Sequence, residues 1–313
     1  PRSRGLGDVY KRQVIICGLG AIGTIYAARI ADAGNINLKI LLDEERIEKY
    51  KTNPTVFNNK EYSFDYITGD YCGFNADLII IATKNSGLME AVDAVKNFVN
   101  ENTVFISLLN GISSEDVIAS VYGFDKVLYS YYIGHTSTRQ GRSIVHDGVY
   151  KTVFGERDNQ QLSKNVLKIK EFFDSTGIPY EIPVDMDYSR WWKFLVNVGY
   201  NQASAVLNAS YGVFQNSERA NNLAINLMQE AADLAKAMGV KNTHQLIAQV
   251  LDVIKTMLPE TRTSMLQDID AKRQTEVGIF AGYIVESAKK YSIPVPYLSL
   301  IHISEPTRPR LIS

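Results

Sequence analysis

The sequence predicts an α/β protein in which a dinucleotide-binding domain is followed by an all-α domain, and three observations predict it. An apolar strand, Val14-Ile15-Ile16-Cys17, runs directly into Gly18-Leu19-Gly20-Ala21-Ile22-Gly23 and then a helix. Strand and helix patterns alternate as far as Pro183. From Asp185 onward the pattern is almost wholly helical, with no repeat or low-complexity tract.

The opening is a Rossmann fingerprint in its proper context, strand before and helix after. Gly18 allows the tight turn, Gly20 has no Cβ to hold the backbone off a pyrophosphate, and Gly23 lets the helix pack closely on the strand. The loop Gly18, Leu19, Gly20, Ala21, Ile22 and Gly23 is therefore the expected cofactor cradle, at a helix N-terminus. That helix is expected over Thr24–Ala33, and Gly34 ends it. A second strand, Leu38–Leu42, ends at Asp43; a third, Asp77–Thr83, ends at Lys84. A helix from Met89 to Val99 leads to Thr103–Leu108, which ends at Asn110-Gly111. Ligands of open α/β sheets lie beyond the carboxyl ends of the strands, so Gly18, Asp43, Lys84 and Asn110 are expected to border one crevice. Lys126–Ile133 and Val149–Phe154 extend the sheet, and Ile178–Pro183 closes it. Helices are expected over Ser189–Leu207, Ala220–Met238, Thr243–Met257 and Gln274–Tyr291.

The two ends of the chain read differently. Ser3–Gln13 (SRGLGDVYKRQ) and Leu298–Arg308 (LSLIHISEPTR) can each be encoded by the reverse complement of the other, over eleven consecutive codons. Such complementarity is expected of a transposon-type library adapter translated at both ends of a gene fragment. Residues 1–13 and 298–313 are accordingly set aside as non-native. The expected domains are 14–184 for the cofactor and 185–297 for the substrate, the latter truncated at its C-terminus. Without the six basic and two acidic residues of these ends, the chain's 33 basic and 34 acidic residues become 27 and 32, a net charge of −5. That balance disfavours nucleic acid as a partner. Two cysteines, Cys17 and Cys72, suggest neither a disulfide framework nor a metal cluster. No apolar run is long enough for a membrane span, and no signal-peptide pattern is seen, so a cytoplasmic enzyme is expected, with a short leader before Val14 left open.

Lys193, Asn197 and Asn201 are spaced by four, and at about 3.6 residues per turn they form one narrow polar stripe between apolar flanks. A solvated helix face would show the same stripe. Against that reading, asparagine is a mediocre helix former, and a lysine between apolar flanks can have its pKa lowered enough to donate a proton near neutrality. Glu276, expected in the first turn of the last helix, could equally serve only the helix dipole. His135 and His146 have no ligand-spaced partner in sequence and read as structural. Tyr129, Tyr131 and Tyr132 read as sheet packing.

Taken together, the glycine loop, Thr83-Lys84, Asn110-Gly111, Trp191-x-Lys193-x-x-x-Asn197-x-x-x-Asn201, and Ser264-Met265-Leu266-Gln267-Asp268 followed twelve residues after the serine by Glu276 resemble the ketopantoate reductase (2-dehydropantoate 2-reductase) family. The resemblance spans residues 14–296. It implies a 6-phosphogluconate dehydrogenase-like architecture and NADPH-dependent reduction of 2-dehydropantoate to pantoate, in pantothenate and coenzyme A biosynthesis. It further implies Lys193 as general acid and Glu276 as partner to the substrate hydroxyl and the lysine. Asn197, Asn201 and Ser264 match substrate positions, and Lys84 and Asn110 match residues beside the nicotinamide and its ribose. One further substrate asparagine of some members is Tyr211 here, with Asn208 three residues earlier.

Cofactor choice is divided. Asp43 at the end of the second strand argues for NADH, because an acid there takes the ribose 2′-OH and repels a 2′-phosphate. The resemblance argues for NADPH, with Arg46 in reach of the phosphate, and NADPH is preferred. The expected partner is a small 2-keto acid, with no metal, nucleic acid or membrane; a homodimer is compatible with this reading. Alternatives are a related 2-keto acid or β-hydroxyacid dehydrogenase and a non-catalytic NAD(P)H sensor, which would need no proton donor.

Overall fold

A computed structural model describes residues 11–135 and 137–304, and the chain divides into two compact units, 1–109 with 114–184 and 110–113 with 185–313.

The strands of the first unit are β1 (Arg12–Cys17), β2 (Ile36–Leu41), β3 (Thr55–Phe57), β4 (Lys60–Tyr62), β5 (Asp65–Ile67), β6 (Leu78–Ile81), β7 (Val104–Ser107), β8 (Val127–Gly134), β9 (Thr138–Gln140), β10 (Ser143–Val145), β11 (Tyr150–Gly155) and β12 (Tyr180–Glu181). Its helices are α1 (Ala21–Ala33), α2 (Glu44–Thr52), α3 (Leu88–Ala94), α4 (Ser114–Tyr122) and α5 (Lys164–Thr176). Eight strands form one sheet in the order β12-β11-β8-β7-β6-β1-β2-β5, parallel except where β8 meets β11. The order places β1 inside the sheet, so Val14, Ile15 and Ile16 are fully buried, as a parallel strand covered on both faces must be. The helix expected from Met89 to Val99 is shorter than the pattern suggested: α3 stops at Ala94, and a 3₁₀ turn covers Lys96–Phe98.

Two features escape the sequence pattern. The three-residue strands β3, β4, β9 and β10 form a second sheet, order β4-β3-β10-β9, in which β10 runs parallel to β3. Between β7 and β8 only two residue pairs are in register, Phe105 with Val127 and Ile106 with Leu128. Beyond them the Ser130 hydroxyl takes over, accepting from Ser107 N–H and donating to the Ser107 carbonyl, each at 2.8 Å. Buried Glu115 accepts from Ser130 N–H at 3.1 Å.

The second unit contains α6 (Met186–Val196), α7 (Gln202–Leu207), α8 (Tyr211–Asn216), α9 (Glu218–Ala237), α10 (Leu246–Thr256), α11 (Ser264–Asp270), α12 (Tyr283–Tyr291) and α13 (Pro296–Ser304). α9 is the long central helix, with Ala224, Leu227, Met228, Ala231, Leu234 and Ala235 all fully buried. The single helix expected over Ser189–Leu207 is broken by a π-helical turn at Asn197–Asn201, and the helix expected from Gln274 begins with another at Gly278–Gly282. At Gly199 a Cβ would stand 2.5 Å from Met228 Cγ and 3.1 Å from the Ala224 carbonyl, so the first π turn meets α9 only because that residue is glycine.

Residues of the two ends read as non-native have places in these elements where they are described. Arg12 and Gln13 pair with Ile36 and Asn37 in β1, and Leu298 and Ile301 are buried. Residues 1–10 and 305–313 lie outside the described part. No helix among the described residues is long and apolar enough to cross a membrane.

Candidate cofactor loop and catalytic cluster

In the first unit, the turn from β1 into α1 is built on two glycines, Gly18 and Gly23, that nothing larger could replace. Gly18 has φ +97°, and a Cβ there would lie 2.8 Å from the Ala82 carbonyl; a Cβ at Gly23 would lie 2.2 Å from the Gly18 carbonyl. At Gly20, by contrast, a Cβ would meet nothing within 4 Å, so this glycine borders open space. α1 begins there with no side-chain cap and no acidic residue in its first turn. An uncapped helix N-terminus beside open space is where a diphosphate is stabilised by unpaired N–H groups and the helix dipole, so the loop fits a dinucleotide.

Asp43 ends β2 and caps α2. One carboxylate oxygen accepts from Arg46 N–H at 2.7 Å, and the other lies 3.2 Å from Arg46 Nε. The two residues that sequence set against each other, one favouring NADH and one NADPH, thus form an ion pair with each other. Lys84 is exposed and precedes a 3₁₀ turn at Asn85–Gly87. A residue that sequence reasoning passed over lies in the same neighbourhood: the Tyr50 hydroxyl, on α2, donates to the Leu19 carbonyl at 3.1 Å.

In the second unit, Asn110 Nδ2 donates to Glu276 Oε2 at 2.8 Å. Asn110 follows β7 and groups with the second unit, where it meets Glu276. Glu276 is not inside the last helix. It stands just ahead of the π turn, where its carbonyl accepts from Ile279 and Phe280 N–H at 3.1 and 3.2 Å. It therefore stands at the very start of that helix, and its carboxylate is engaged by the Asn110 amide.

Lys193 lies in the last turn of α6, half-buried. Burial pushes its pKa down from the ordinary lysine value to about 8, and the Glu276 carboxylate partly opposes the shift. One turn on, Asn197 and Asn201 are only 3 % and 5 % exposed, which removes the solvated-face reading of the stripe. The Asn201 amide donates to Asn197 Oδ1 at 3.2 Å and to Ser264 Oγ at 3.3 Å. Ser264 is the first residue of α11, which Thr263 caps through Leu266 N–H. The second unit therefore brings together a near-neutral cation, a carboxylate, buried amides and a hydroxyl. That set can donate a proton and pair the oxygens of a small polar anion.

Tyr211 is buried against Tyr200, ring centroids 6.3 Å apart, and its hydroxyl pKa is pushed up to about 12 by desolvation. Asn208 ends α7 at φ +50° and accepts from Arg262 at 3.0 Å, so its side chain is committed there. His146 is buried; its Nδ1 accepts from Gly148 N–H at 2.9 Å, and Nε2 lies 3.1 Å from the Tyr132 hydroxyl. His135 does have a carboxylate partner, Asp147 at 2.5 Å, brought to it by the turn ahead of β11. Among the described residues no group of three or more His, Cys, Asp or Glu is arranged to hold a metal ion.

The chain is similar to known proteins over both of its units. A family model described as ketopantoate reductase PanE/ApbA matches residues 14–159, and its C-terminal counterpart matches 185–303. Similar proteins include an uncharacterized oxidoreductase, YkpB, of Bacillus subtilis, 22 % identical over 295 residues that cover 93 % of this chain and 96 % of that protein. A 2-dehydropantoate 2-reductase of Pyrococcus horikoshii is 25 % identical, covering 91 % of this chain and 93 % of its own. Among solved structures, a D-mandelate dehydrogenase with NADH and anilino(oxo)acetate has a TM-score of 0.82 at 20 % identity, over 93 % of this chain and 96 % of its own. At that identity the structural likeness concerns the fold.

Proposed function

Because the chain belongs to the ketopantoate reductase PanE/ApbA family, we propose that it reduces 2-dehydropantoate to pantoate with NADPH, a step of pantothenate and coenzyme A synthesis. The observation that carries this reading is the lowered pKa of Lys193 next to a carboxylate that Asn110 holds. Hydride addition to a ketone builds negative charge on the carbonyl oxygen, and a lysine poised near pH 8 both stabilises that charge and supplies the proton. Glu276 keeps the lysine oriented and takes the substrate hydroxyl. Asn197, Asn201 and Ser264 pair the remaining substrate oxygens without adding negative charge beside a carboxylate.

Gly18, Leu19, Gly20, Ala21, Ile22 and Gly23 hold the cofactor's diphosphate in this reading, with Lys84 and Asn110 beside the nicotinamide and its ribose. Bound NADPH supplies the hydride. Support for NADPH over NADH comes from the pairing of Asp43 with Arg46, which sets a positive charge against the acid that would otherwise claim the ribose 2′-OH. The Arg46 side chain is 62 % exposed, within reach of solvent-borne phosphate in this reading.

The direct test is NADPH consumption with 2-dehydropantoate beside a panel of 2-keto acids. Turnover with 2-dehydropantoate at least as efficient as with any other member supports the reading; a preference for bulky aromatic keto acids overturns it. A second reading, a related 2-keto acid reductase, is favoured by one observation. Tyr211 puts a buried aromatic ring at a position that the resemblance would give to an asparagine.

A further inference from the structure

The bond from the Tyr50 hydroxyl to the Leu19 carbonyl has a consequence for the glycine loop. The Leu19–Gly20 peptide is trans, as are all peptides among the described residues, and across a trans peptide C=O and N–H point in opposite directions. A carbonyl held toward Tyr50 therefore turns the Gly20 N–H away from α2. Gly20 is also the loop glycine that borders open space, at the uncapped start of α1. We propose that Tyr50 is a positioning residue for the dinucleotide: by fixing the Leu19 carbonyl it presents the Gly20 N–H to the pyrophosphate.

Tyr50 is itself held on two sides. Its ring stacks on Tyr66, centroids 6.0 Å apart and planes 26° from parallel. The guanidinium of Arg142, carried by the turn between β9 and β10, sits 4.9 Å from the ring centroid. The Arg142 carbonyl accepts from Val56 N–H at 3.2 Å, which ties that turn to β3. The small second sheet thus reaches the glycine loop through one aromatic side chain, and this gives its four short strands a role in cofactor binding. Without the hydroxyl, the Leu19–Gly20 peptide is free to rotate, and a rotated peptide offers a carbonyl oxygen to an anion.

The inference rests on the cofactor reading of the loop but not on the identity of the keto acid. Its test is a titration without substrate: dissociation constants of NADPH, ADP-ribose and adenosine for the wild type and for Tyr50→Phe, which keeps the ring and both its neighbours. NADPH and ADP-ribose, which carry the diphosphate, are expected to bind about 3- to 10-fold more weakly, the range commanded by one neutral hydrogen bond, while adenosine, measured by competition, is held as before. Unchanged ADP-ribose affinity, or equal losses for ADP-ribose and adenosine, would overturn the proposal. If Tyr50→Phe lowers the thermal midpoint, Arg142→Met is read in the same titration. There, too, a loss confined to the diphosphate ligands supports the proposal, and any other pattern overturns it. A chain that fails to reduce 2-dehydropantoate yet shows this pattern would sink the substrate assignment and leave Tyr50 in its role.

Discussion

Asn110 and Glu276 are 166 positions apart in sequence, and the amide of one donates to the carboxylate of the other at 2.8 Å. The bond holds one oxygen of a carboxylate that also acts electrostatically on Lys193; in the proposed reading this carboxylate takes the substrate hydroxyl. Asn110→Ala is therefore expected to raise KM and lower kcat together, by about 10-fold in kcat/KM, because a hydrogen bond to a charged group is lost. Steady-state kinetics check this, and a change in KM alone would show that Asn110 acts only on binding.

Lys193 is expected to cost stability in return for its function. Its pKa in the folded chain, about 8, lies below the ordinary lysine value that applies when unfolded. Between the two the unfolded chain binds more protons, so stability rises with pH through that window, and the full cost is present below about pH 8. Lys193→Met should be more stable than the wild type at pH 7 by about 1–3 kcal/mol, with the difference shrinking as pH approaches 10. Urea unfolding at the two pH values measures it.

In the proposed reading, cofactor choice turns on the Asp43–Arg46 pair. Arg46→Ala removes the charge available to a 2′-phosphate and frees Asp43 for a ribose hydroxyl. The expected result is a loss of about 10- to 100-fold in NADPH affinity with NADH affinity unchanged or improved. Equal weakening of both cofactors would assign Arg46 to the fold of α2 and not to the phosphate.

Glu230, a buried carboxylate on α9, accepts from the N–H groups of Tyr297 and Leu298 at 2.8 and 2.9 Å and so caps α13 from a distant part of the chain. Desolvation raises its pKa, and the two backbone donors pull it back. Glu230→Ala should lower stability by about 1–3 kcal/mol, since two helix-terminal donors lose their partner. The contacts are to backbone, so the same cost is expected whichever side chains follow Tyr297, including those of the segment read as adapter.

What the sequence made legible was local. The strand, glycine turn and helix of Val14–Ala33 announce themselves because Gly18 and Gly23 each answer to a nearby backbone clash, and the Lys193, Asn197 and Asn201 stripe shows because helix periodicity is a short-range property. The stripe's burial was not legible, because it depends on what packs above it. Nor was the π turn, whose extra residue leaves no compositional trace. The three-residue strands β3, β4, β9 and β10 are too short for a period of two to register. The bonds from Tyr50 to Leu19 and from Asn110 to Glu276 join segments whose proximity only the tertiary fold creates.

The central claim, that Lys193 is the proton donor of a 2-dehydropantoate reductase, is tested most directly by the pH dependence of kcat/KM for that substrate in the wild type and in Lys193→Met. The account predicts a wild-type profile that falls as pH rises through about 8, and a variant that is about 10²- to 10⁴-fold slower and has lost that ionisation. A variant that retains both the rate and the ionisation near 8 would contradict it.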